Sequence, residues 1–207
     1  MTVTLFSLAH DRLRDMSNKT AYRAAIGEYF HVYNRGVRKA QIFDSRPNYD
    51  YFLKKLQSSA INPGVIAISF CLMPNHFHFL LEQTQPDAIS RLMQQVCNGY
   101  AKALNSQRRQ TGHVFESKYK IKLIDSTSYL TWLSRYIHRN PKEAGLVRDC
   151  IEWEYSSFRD FVGRGKYGFI YPDVVLSQFA SREDYLRYVE DDAEKEPPGL
   201  RKYLFDW

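Results

Sequence analysis

The chain has 207 residues, 44% of them apolar, with 15 tyrosines, 13 phenylalanines and a formal net charge of +6. Such a composition excludes a disordered chain and suffices for one domain with a sizeable core. The basic balance is compatible with a nucleic-acid partner without demanding one. No apolar run reaches the length of a membrane span, and the three cysteines lack paired spacing, so a cytoplasmic protein without disulfides is expected.

Residues 1 to about 24 read as a basic N-terminal extension or short helix. Aromatic and β-branched residues at 28–34 predict a strand, which Arg35-Gly36 turns. Tyr49, Phe52, Leu53 and Leu56 then follow helical spacing until Asn62-Pro63-Gly64 breaks it. An apolar run from Val65 to Leu72, the turn Met73-Pro74-Asn75 and a strand from His76 make a hairpin.

From Asp87, the residues Ile89, Leu92, Met93, Val96, Tyr100 and Leu104 mark one face of a long amphipathic helix. Gly112 to Tyr119 is a loop into a strand over 118–125, whose Lys118, Lys120 and Lys122 face one way. A helix over 128–139 follows, capped by Ser126 or Ser128 and ended by Pro141.

This order predicts an α+β fold: a ferredoxin-like split β-α-β with an antiparallel four- to five-stranded sheet. Helices cover one face and leave the other open for a ligand, and a further helix and a C-terminal helical extension complete it. A boundary near Asp149 divides a body (1–149) from an extension (150–207). In the extension, Trp153, Tyr155, Phe158 and Phe161 form a packing cluster and 181–189 a short helix. An acidic linker (190–199) leads to the aromatic end Lys202–Trp207.

The segment Met73-Pro74-Asn75-His76-Phe77-His78 carries the first chemistry. On a strand His76 and His78 point to one face and Phe77 and Phe79 to the other, giving half of a divalent-metal site. Tyr136 and Asn140 lie one helical turn apart on a common face. Two imidazoles, an amide oxygen and a phenol suit Mg²⁺ or Mn²⁺ chemistry on a phosphoryl group, the phenol being a plausible nucleophile.

Four stretches together resemble the REP-associated tyrosine transposases, single-tyrosine members of the HUH nuclease superfamily. They are His31-Val32-Tyr33-Asn34-Arg35-Gly36; Leu72 to His78; Gly112-His113-Val114-Phe115 with Lys118-Tyr119-Lys120; and Ser134 to Pro141 through Ala144-Gly145-Leu146-Val147. The resemblance spans roughly Tyr29 to Val189. It implies that His76 and His78 bind the catalytic Mg²⁺ or Mn²⁺, with Asn140 at the third-ligand position. It also implies that Tyr136 cleaves single-stranded, hairpin-forming DNA through a 5′-phosphotyrosine link, leaving a free 3′-OH and needing no ATP.

In that context Arg35, Arg38, Lys39, Lys118, Lys120 and Lys122 are candidate phosphate contacts, with Tyr33 or Tyr119 stacking on bases. A solvated basic surface is the competing reading for each of these cations. His31, His113 and His138 are assigned structural or DNA-contact roles. The expected protein is nucleoid-associated and monomeric or homodimeric. Two other readings stand beside the enzyme: a nucleic-acid-binding module that has lost the chemistry, and a metal-dependent hydrolase using water.

Overall fold

The computed structural model describes residues 19–60 and 64–193. Residues 1–18 of the expected N-terminal extension, the break at Asn62-Pro63, most of the acidic linker and the aromatic end lie outside the described residues. In chain order the elements are α1 (Lys19–Ala24), β1 (Glu28–Arg35), α2 (Arg46–Ala60), β2 (Val65–Met73), β3 (His76–Gln83), α3 (Ala88–Arg108), β4 (Lys120–Leu123) and α4 (Thr127–Glu143). The extension adds α5 (Phe158–Phe161), α6 (Asp173–Leu176) and α7 (Arg182–Glu190).

The four strands form one antiparallel sheet in the order β2-β3-β1-β4. Residues paired across antiparallel strands share a face, so the register fixes what each side presents. One side carries Phe70, Phe77 and Phe79, all fully buried. Phe52 of α2 packs at 5.4 Å from the Phe77 ring and 5.1 Å from Tyr100 of α3, so both long helices cover this face.

The other side collects the polar residues. Cys71, His78, Tyr33 and Lys120 line up across all four strands, and Met73, His76 and Arg35 form the adjacent row. This second face is not open. α4 lies over it with Leu133 and Ile137 fully buried, and the extension packs beside α4. The sequence reading leaves this face to a ligand; in the fold, α4 meets β2 and β3 across it, and its apolar stripe is buried there.

Two boundaries also differ from the sequence reading. α4 continues through Pro141 to Glu143. Proline removes one helical N–H, but the Ala144 amide still reaches the Asn140 carbonyl and the Leu146 amide that of Pro141, which holds the last turn. β4 begins at Lys120, not Lys118. The Glu116 amide donates to the Arg35 carbonyl while Lys120 pairs with Tyr33, so residues 117–119 bulge out of the ladder.

Ser126 caps α4 by accepting from the Tyr129 amide, and Ser181 caps α7 by accepting from the Asp184 amide. Downstream of residue 149 the chain returns to β2. The Leu72 amide donates to the Tyr155 carbonyl and the Ser157 amide to that of Phe70, while Tyr155 stacks on Tyr49 with ring centroids 3.8 Å apart.

Candidate active site

His76 and His78 project from one face of β3, both buried, with ring centroids 5.0 Å apart and planes nearly perpendicular. α4 brings the remaining groups. The Tyr136 ring stands edge-on to His78 at 5.3 Å and to His31 at 6.4 Å, and it stacks on Trp132 at 5.6 Å. The four sequence-predicted residues His76, His78, Tyr136 and Asn140 are therefore brought together.

His76 is held between two amide oxygens. Its Nδ1 lies 2.7 Å from Asn75 Oδ1 and its Nε2 3.3 Å from Asn140 Oδ1. Both amides are oriented by backbone carbonyls, which can only accept. Asn75 Nδ2 donates to the Lys39 carbonyl at 3.3 Å and Asn140 Nδ2 to the Tyr136 carbonyl at 2.7 Å. Burial lowers the pKa of His76 to about 3, against the pull of the Asn140 amide and with the help of the Arg35 charge.

A neutral imidazole has a single N–H. One tautomer places that proton on Nδ1, toward the shorter contact with Asn75. In that tautomer the Nε2 lone pair and the Asn140 oxygen face each other, an arrangement that a cation relieves by accepting both. Burial also drives the pKa of His78 well below its ordinary value, with His76 and His31 adding to the effect. Neutral imidazoles are the ligand form that metals require. The donor set therefore fits a divalent ion: two imidazoles and a neutral amide. Among the described residues no group of three or more His, Cys, Asp or Glu side chains is placed to hold one.

Sequence reasoning gives His31 no part at this centre. It is fully buried on β1, and its Nε2 lies 2.9 Å from His78 Nδ1, with the two rings stacked at 5.1 Å. A ligating histidine is commonly oriented through its second nitrogen, and His31 occupies that position. The available signal is the His31-Val32-Tyr33 alternation, which puts His31 and Tyr33 on one face. Only the β1–β3 register reveals that this is the His78 face. His138, by contrast, points away, its Nδ1 2.8 Å from the Tyr185 hydroxyl and its Nε2 2.9 Å from Ser157 Oγ.

The candidate DNA contacts divide by position. Lys120 and Lys122 share the site face, and the Lys122 ammonium sits 5.7 Å over the Tyr33 ring. Arg35 pairs across from His76, and its guanidinium engages both carboxylate oxygens of Glu116, one at 2.8 Å. Exposed Arg38 and Lys39 occupy consecutive left-handed positions, φ 53° and 60°, in the loop whose Lys39 carbonyl orients Asn75. Gly36 opens this loop at a position where a Cβ would lie 2.0 Å from the Ala40 carbonyl oxygen. Lys118 lies in the bulge before β4, apart from Lys120 and Lys122, and His113 is exposed.

The protein family described as "Transposase IS200 like" matches residues 26–140, more than half of the chain. Among solved structures, a REP-associated tyrosine transposase bound to a REP hairpin matches with a TM-score of 0.59 and 19% identity, over 75% of this chain and 91% of that one. At that identity the likeness shows a shared fold. No curated protein matches the chain. Among the described residues no helix is long and apolar enough to cross a membrane.

Proposed function

The chain belongs to the IS200-like transposases, and from that membership we propose that it cleaves and rejoins single-stranded DNA near hairpins, using Tyr136 as nucleophile. The observation that carries the proposal is Asn140 Oδ1 facing His76 Nε2 at 3.3 Å, with the Tyr136 ring against His78 one helical turn earlier. The hairpin preference draws on the structural neighbour, which is bound to a REP hairpin.

His76, His78 and Asn140 would hold a divalent metal, Mg²⁺ or Mn²⁺, which when bound polarises a phosphoryl oxygen. Asn75 and His31 orient the two imidazoles. The Tyr136 phenol gives up its proton to water, its oxygen attacks phosphorus, and the phosphorus–O3′ bond breaks. The departing 3′ oxygen takes up a proton, leaving a free 3′-OH and a 5′-phosphotyrosine. Attack by a new 3′-OH reverses the step, so the phosphodiester energy is retained. Lys120 and Lys122 on the site face, with Arg38 and Lys39 in the loop beside Asn75, place positive charge where a backbone would pass.

The test is incubation with a labelled single-stranded hairpin and Mn²⁺, followed by denaturing electrophoresis. A covalent adduct mapped by mass spectrometry to Tyr136, lost in Tyr136→Phe and in EDTA, is expected. Cleavage by the Phe variant, or an adduct on another tyrosine, would overturn the assignment.

A further inference from the structure

The back of α4 carries Arg135, Arg139 and Lys142, spaced so that all three meet the end of α7. Arg135 donates to the carbonyls of Tyr188, at 2.8 Å, and Asp191. Arg139 donates to the Val189 carbonyl at 2.8 Å, and its guanidinium also lies 2.7 Å from both Glu143 and Asp192 carboxylate oxygens. Lys142 reaches carboxylate oxygens of Glu190 and Asp192, each at 3.2 Å. The Tyr185 hydroxyl, 3.0 Å from Ser134 Oγ and 2.8 Å from His138, fixes the other end of the contact.

The last carbonyls of a helix have no partner within it and carry the negative end of its dipole. Here they are filled by cations from the helix that bears Tyr136 and Asn140. Arg135 and Arg139 are buried, and a buried guanidinium stripped of its acceptors is costly. Sliding α4 by one turn, about 5.4 Å, or rotating it by one residue would strand both.

We propose that Arg135 and Arg139 are positioning residues that use the end of α7 to set the rotation and register of α4. They precede Tyr136 and Asn140 by one residue each. The contacts that hold the arginines on α7 therefore turn the phenol toward His78 and the amide oxygen toward His76. The inference rests on the reading of Tyr136 as nucleophile. It makes the extension through Asp192 a working part of the active site.

The test compares wild type, Arg139→Ala, Arg139→Lys and Asp192→Asn in single-turnover adduct formation with a saturating labelled hairpin, well below each variant's melting temperature. Hairpin affinity and hydrogen exchange across α4 are measured in parallel. A displacement of about 1 Å at reacting atoms costs on the order of 10²-fold in rate. Arg139→Ala should therefore slow adduct formation about 10- to 100-fold, with hairpin affinity within about twofold and faster exchange at 136–143.

Arg139→Lys should recover part of the rate. Asp192 is 71% exposed on its side chain, so Asp192→Asn should fold normally and slow the reaction by only a few-fold. A wild-type rate in folded Arg139→Ala, or an equal loss of hairpin binding and rate, would overturn the positioning role. If Arg139→Ala does not fold, a wild-type rate and exchange pattern in both Arg139→Lys and Asp192→Asn would overturn it as well. Absence of any adduct in wild type would refute the nucleophile assignment itself.

Discussion

Asn140 and Tyr136 are tied through the helix they share: the Asn140 amide nitrogen donates to the Tyr136 carbonyl, which leaves only its oxygen to offer His76. Asn140→Ala removes both interactions. The helical carbonyl loses one neutral hydrogen bond, about 1 kcal/mol, so stability should fall by no more than that. Adduct formation should fall far more, at least tenfold, and Mn²⁺ affinity with it. Chemical denaturation and calorimetric Mn²⁺ titration check the two magnitudes. Equal small losses in both would remove Asn140 from the proposed metal site.

His31 stands behind His78 as Asn75 stands behind His76. Loss of such a supporting group lowers metal affinity about 10- to 100-fold. His31→Ala should do so, whereas His31→Gln keeps a polar group on the same strand face and should lose less. Mn²⁺ titration of the two variants distinguishes orientation of the ligand from bulk packing, since unchanged affinity in both would leave His31 a core residue alone.

Arg38 and Lys39 keep positive φ angles that side chains disfavour, by roughly 1–2 kcal/mol per residue. Glycine relieves that cost and removes the charge. Arg38→Gly with Lys39→Gly should therefore raise stability by about 1 kcal/mol, after glycine's own entropic cost, and weaken hairpin binding. The log–log salt dependence of single-strand binding should flatten by about 0.7 for each phosphate that is no longer neutralised. Salt titrations with an unchanged slope would assign both cations to the solvated surface.

Acid should unfold the protein through its buried imidazoles. Burial lowers the folded-state pKa of His138 to about 3, below the ordinary ~6.5. The unfolded chain therefore binds a proton that the folded chain refuses. The stability His138 supports is complete above pH ~6.5 and drains away as pH falls toward 3, at up to ~1.4 kcal/mol per unit. Urea unfolding at pH 7, 6 and 5 should show this slope, shallower by up to one proton in His138→Gln. Identical slopes would mean that His138 takes up its proton as readily in the fold as in the unfolded chain.

The elements with strong local signals are legible in the sequence: the strand alternation that pairs His76 with His78, the stripe of α3, and the four-residue offset of Tyr136 from Asn140. What is not legible depends on partners distant along the chain. The contact of His31 with His78 exists only through the β1–β3 register. The start of β4 is set by the pairing of Glu116 with Arg35, which no local pattern encodes. Pro141 locally reads as a stop, yet flanking backbone bonds carry α4 past it. Arg35 locally reads as an exposed phosphate contact; its partner Glu116 is 81 residues away.

The return of the chain to β2 bears on how the molecule is made. β2 is an edge strand of the sheet, and residues 153–157 and 171 take up hydrogen-bonding groups along it, from Ala67 to Leu72. An uncovered edge of this apolar character is a template for pairing with other chains. During synthesis, β2 must wait for about a hundred further residues before its cover exists. The nascent protein should therefore be most prone to aggregation after the sheet has formed and before residue 171 emerges, and truncations that stop at α4 should inherit that exposed edge permanently.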